Sequence, residues 1–83
     1  MNLKFFKEED SYYAIAEKEV YKGMVCDELW FAEVDKTPTG VVLRWEDSYE
    51  KPEPFETFAE ARTFILQNYK SHTPLVVGNR YQL

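Results

Sequence analysis

Cys26 and His72 are the residues best suited to covalent chemistry, and the chain has one cysteine and one histidine. A thiolate attacks only when a base or a positive environment activates it, and a histidine is the usual base. Nothing in the spacing of these two supports a pair. Cys26 reads as a buried structural thiol. His72 falls in Ser71-His72-Thr73, just past an expected helix, where an imidazole meets the last carbonyls. The carboxylate pairs Glu8/Glu9 and Glu46/Asp47 could act as acid and base only in a cleft that separates their pKa values. A zinc centre needs more Cys and His ligands than this chain has. No calcium-binding loop is present, and three glycines scarcely build a loop that cradles phosphate. The expectation is a non-enzymatic protein with no cofactor and no metal.

Charge points to a different kind of chemistry. The 83 residues carry 15 acidic and 10 basic side chains, a net −5. That balance opposes general binding to nucleic acid, which needs Lys and Arg against phosphate. It opposes an anionic membrane surface equally. It suits a partner that is itself basic. The charge is also uneven: residues 1–36 carry −4, residues 37–60 carry −4 and residues 61–83 carry +3. The densest stretch, 46–60, holds six acids against Lys51. Glu56 and Glu60 have a structural use there, at the positive end of a helix dipole. The rest of the run reads in two ways, as a solvated loop or as carboxylates interleaved with aromatics that occupy a basic groove. On the second reading Glu46, Asp47, Tyr49, Glu50 and Glu53 form the contact.

These residues need a scaffold, and the chain reads as strands followed by a helix. Leu3–Lys7 and Tyr12–Ala16 flank the polar turn Glu8-Glu9-Asp10-Ser11 and predict a hairpin. Leu29–Val34 and Val41–Glu46 flank Lys36-Thr37-Pro38-Thr39-Gly40 and predict another. Residues 17–27 stay ambiguous: Lys22-Gly23 suggests a turn between strand extensions. Asp47–Glu56, with Pro52 and Pro54, reads as a loop. Thr57-Phe58-Ala59-Glu60 fits a capping box at the start of a helix. Phe58, Ala61, Ile65 and Tyr69 make its apolar stripe, and Pro74 cannot continue it. Leu75–Val77 predicts a short last strand, with Gly78-Asn79 as a turn before Arg80–Leu83. The fold class is therefore α+β: an antiparallel meander of about four strands with one helix on one face.

One helix covers one sheet face, so strand alternation decides what remains. Alternation puts Leu3, Phe5, Ile15, Trp30, Val34, Val41, Leu43 and Trp45 under the helix. Phe6, Tyr12, Phe31 and Val42 fall on the other face. If residues 17–27 do not fold across that face, Phe6, Tyr12 and Phe31 form an apolar patch of the kind that marks interfaces. A homodimer through the same face is the alternative to a foreign partner.

The length fits a single domain over residues 1–83, and 17% aromatic residues exclude a disordered chain. One cysteine allows no internal disulfide, and no apolar run approaches the ~20 residues of a membrane span. MNLKFFKEED lacks a signal-peptide apolar core. A cytoplasmic location is expected. In size, charge and architecture, with its capped TFAEARTFILQNY helix, the chain resembles small bacteriophage inhibitors such as anti-CRISPR and host-takeover proteins. That resemblance implies a protein that blocks a basic, nucleic-acid-binding surface of a larger complex in the host cytoplasm, without touching nucleic acid itself. FFKEEDSYYA and FETFAEARTFI are similar to the start and helix of HicB-type antitoxin domains, although the stretch between them is longer here and lacks their Pro-Gly pair.

Overall fold

The structure is a computed structural model that describes residues 1–81, with side chains through Gly78. Gln82 and Leu83, the end of the expected Arg80–Leu83 segment, lie outside the described residues. Five strands follow one another as an antiparallel meander: β1 (Lys4–Glu8), β2 (Ser11–Tyr21), β3 (Met24–Thr37), β4 (Gly40–Trp45) and β5 (Ser48–Phe55). Helix α1 (Phe58–Asn68) and a 3₁₀ turn at Tyr69–Ser71 then lead to β6 (Leu75–Tyr81). β6 pairs with β3. The 14 residues of β3 make this arrangement feasible. Its second half, 32–37, pairs with β4, and its first half, 24–30, pairs with β6 along the same edge.

The α+β class stands, but the sheet has six strands rather than about four. The expected last strand at Leu75–Val77 is present within β6, and the further strand comes from a segment expected to be a loop. Asp47–Glu56 is mostly strand. Proline lacks the N–H that a ladder needs, yet Pro52 and Pro54 sit on β5, an edge strand that pairs with β4 alone, where that loss is tolerated. Gly78-Asn79 is not a turn; both residues continue β6.

Residues 17–27 neither cover a face nor form a separate element. They extend β2 and β3 into a long hairpin arm that turns at Lys22 (φ 50°) and Gly23 (φ 81°). Positive φ at both turn residues matches the twist of the flanking strands. The arm helps to draw the molecule out to 48 × 24 × 20 Å.

Two irregularities decide which residues face the helix. Ala14 pairs with Ala32 and Ile15 with Trp30, so Phe31 is an extra residue in β3. Such a bulge shifts the two-residue alternation by one. Leu29 and Phe31 therefore point to the helix side before it, and Ala32 and Val34 do so after it; all four are buried in one core. Further out, Lys18 (φ 53°) and Gly78 (φ 63°) flank Asp27 in adjacent strands. Beyond this kink Cys26 returns to the core, although Glu28, two residues away, faces outward. A Cβ at Gly78 would collide with the Asp27 side chain.

Helix α1 begins as the capping box requires. The Glu60 amide donates to Thr57 Oγ1 at 3.2 Å, and the Thr57 amide donates to Glu60 Oε1 at 3.1 Å. Ala61 and Ile65 are fully buried against the sheet, and Tyr69 closes the stripe by meeting Phe31 edge-on. Trp45, Leu43 and Val34 fill the centre beneath them.

Candidate functional site

The groups that could do covalent chemistry are each engaged in holding the fold. Cys26 is buried, with its thiol directed at the Met24 carbonyl. The His72 ring lies flat on Trp45, with centroids 3.7 Å apart, and its Nδ1 is 2.8 Å from Asp47 Oδ1. The Thr73 amide donates to the other Asp47 oxygen at 2.8 Å. Asp47 thus ties the β4–β5 turn to the segment after the helix. Among the described residues no three Cys, His, Asp or Glu side chains gather closely enough to hold a metal ion.

Burial alone would raise the pKa of Asp47, but the bonds from His72 and Thr73 hold it below its ordinary 3.8. A carboxylate depressed in this way stabilises the fold above its unfolded pKa, and that stabilisation is lost as pH falls through the lower folded value. Asp47→Asn should therefore cost about 1.5–3 kcal/mol at neutral pH, the worth of a hydrogen bond to a charged group. The gap between variant and parent should close below pH 3.8, which urea unfolding across an acid series would show. A gap that stays constant down to the lowest pH would contradict this role for Asp47.

The uncovered sheet face holds a different assembly. Phe6 and Tyr13 are register partners on β1 and β2, with rings 5.3 Å apart. Trp30 on β3 meets Phe6 edge-on at 5.9 Å and Tyr13 at 5.3 Å. Their neighbours in sequence confirm the sidedness: Phe5 turns the other way, onto Phe58 of α1. Ile15, the register partner of Trp30, is 2% exposed and stands apart from the main core. Phe6 remains 39% exposed.

Carboxylates border the rings. Glu28 accepts from the Trp30 indole at 2.9 Å. Asp35 accepts from Ser11 Oγ at 2.6 Å and from Arg44 at 2.9 Å. Glu33 accepts from the Tyr49 hydroxyl at 3.1 Å, and the Arg44 guanidinium lies over the Tyr49 ring. Burial, and then the neighbouring Asp35, push the Glu33 pKa up, against the pull of Tyr49 and Arg44. Lys4 pairs with Glu17 at the border with the arm.

The residues expected to make contact are only partly united. Phe6 and Tyr49 lie on the open face. Tyr12 does not: it stacks on Phe58 at 3.8 Å, on the helix side. Phe31 is 3% exposed, because the bulge turns it into the core. The acidic run is dispersed as well. Glu46 sits at the β4–β5 turn, where burial raises its pKa, and its amide donates to the Phe31 carbonyl. Asp47 is committed to His72. Glu50 is exposed on β5, and Glu53 is half-buried opposite Leu43.

Sequence pattern does not mark Tyr13, Glu28, Glu33 or Arg44 as site residues, and it places Trp30 under the helix instead of on the open face. Tyr13 was recoverable, since a tight turn at Glu9-Asp10 pairs residue 6 with residue 13. Trp30 was not, because its face depends on the bulge.

A concavity of about 460 Å³ lies at the opposite end, beside Lys7, Lys36 and the start of α1. Asp10 and Glu56 also line it, and the helix terminus there is already satisfied by Thr57 and Glu60. No helix among the described residues is long and apolar enough to cross a membrane. No family model matches the chain, and neither a curated protein nor a solved structure is significantly similar to it.

Proposed function

We propose that this chain is a non-enzymatic protein-binding module whose open sheet face docks on a basic surface of a larger protein and occludes it, in the manner of phage inhibitors of nucleic-acid enzymes. The observation that carries the reading is the Phe6–Tyr13–Trp30 cluster on an uncovered face, bordered by Glu28, Glu33 and Asp35. An aromatic centre inside a polar rim is the usual anatomy of a protein interface. Carboxylates on that rim select a cationic partner and steer its approach. Glu50 is exposed on β5, and Glu53 lies on the helix side of the same strand by its pairing with Leu43; both add to the overall negative field.

The test reverses carboxylates outside the buried core, of which Glu28 also accepts from the Trp30 indole. The triple variant Glu28→Lys, Glu50→Lys, Glu53→Lys leaves Asp47 and the core untouched. Wild type immobilised as bait should retain nucleic-acid-binding proteins from a bacterial lysate, and duplex DNA should displace them. The variant should retain at least about tenfold less, and wild-type capture should weaken with salt. Equal capture by both proteins, or capture that DNA does not compete, would refute occlusion of a basic surface.

A further inference from the structure

The described strands leave four stretches of edge unpaired, and they are not equivalent. The arm end of β2, residues 16–21, carries Glu17, Lys18 and Glu19 and is kinked at Lys18. β1 is only five residues long and exposes four of them, among them Lys4, Lys7 and Glu8. Short, charged edges resist further pairing. β5 carries Pro52 and Pro54 and loses register with β4 between Leu43 and Trp45. Prolines and bulges protect an edge in the same way. β6 has neither device over Leu75–Gly78. Its one charged residue, Arg80, comes near the far end. It pairs with β3 on one side, and no other described strand pairs with it. Leu75 is 51% exposed and Val77 40% exposed, and both lie on the open face by their pairing with Trp30 and Glu28.

We propose that the free edge of β6 is where the partner engages: an extended, basic segment adds to the sheet as a further strand beside β6. This rests on the proposed function and names the form the partner takes. Charge selects the occupant. The β4–β5 turn is fixed next to the start of β6, by the Glu46 amide on the Phe31 carbonyl and by Asp47 on the Thr73 amide. That places Glu46 at one end of the edge, while Glu28 faces outward beside Val77. A strand with Lys or Arg on alternate positions would meet these carboxylates on one face, while its backbone completes the ladder. A second copy of this chain is disfavoured, because it would bring another −5 against the same carboxylates.

Two synthetic peptides of equal charge test the idea on the isotope-labelled chain. One alternates Lys and Val; the other replaces each Val by Pro and cannot form a ladder. The Lys–Val peptide should bind and slow amide exchange within Leu75–Gly78 at least about tenfold, with the Pro peptide binding about tenfold or more weakly. Equal binding by both, or protection on β1 instead, would overturn strand addition and leave the charge-based reading intact. Protection on β6 with affinity unchanged in the Glu28→Lys, Glu50→Lys, Glu53→Lys variant would overturn the basic occupant and the proposed function with it. A dimer of the chain alone by light scattering, with β6 already protected, would make a second copy the occupant and overturn the proposal.

Discussion

Phe31→Glu should unfold this domain, whereas Phe6→Glu should leave it folded. The two phenylalanines lie on strands of one sheet, and alternation alone assigns both to the uncovered face. The bulge separates them. Phe31 is 3% exposed, and its ring meets Tyr69 at 5.3 Å, while Phe6 is 39% exposed. Removing a buried phenyl ring costs about 3–5 kcal/mol. A carboxylate in the same place adds several kcal/mol of desolvation, or must stay protonated. The total matches or exceeds the roughly 4–12 kcal/mol that a chain of this length has in all. Circular dichroism and urea unfolding would register the loss. A cooperative transition for Phe31→Glu close to that of the parent would show that Phe31 does not lie in the core. Phe6→Glu should cost about 1–3 kcal/mol, the worth of its ring contacts with Tyr13 and Trp30, and leave the chain folded. It should abolish partner capture.

The second large effect is expected at Trp45. Its side chain is 2% exposed at the centre of the helix-covered face. The His72 ring stacks on it, and Phe64 lies 6.4 Å away. Trp45→Ala should destabilise by about 3–5 kcal/mol. The loss should exceed simple cavity formation, because His72 loses the surface that holds it against Asp47. A double-mutant cycle with His72→Ala reads that coupling directly, and an interaction energy above about 0.5 kcal/mol is expected. Additive losses would mean that the stacking contributes nothing beyond contact area. Trp30, the other tryptophan, should behave differently: on the open face its removal should weaken partner capture far more than it weakens the fold.

Parts of this architecture were legible because they depend on neighbours in sequence. The Thr57–Glu60 capping box is a local exchange of hydrogen bonds, and its residue types announce it. The β1–β2 and β3–β4 hairpins follow from turn residues; a Cβ at Gly40 would collide with the Phe55 carbonyl, so that glycine is required. The helix stripe of Ala61 and Ile65 is a matter of period. What failed depended on distant pairing. Pro52 and Pro54 argued against a strand, and only the position of β5 at an edge makes them harmless. Gly78 argued for a turn, yet it sits beside Asp27 in a kink that spans three strands.

The candidate site divides along the same line. Sequence by itself determined that the chain is acidic, rich in aromatics and built of strands and a capped helix. Those properties are sums over residues or short-range patterns, and they hold wherever the residues end up. Which aromatics stay on the uncovered face was decided by the tertiary structure. One extra residue at Phe31 shifts a two-residue alternation and exchanges the faces of everything on one side of it. No local preference encodes that shift; it is fixed by which neighbouring strand each half of β3 pairs with, and by the core that those pairings close.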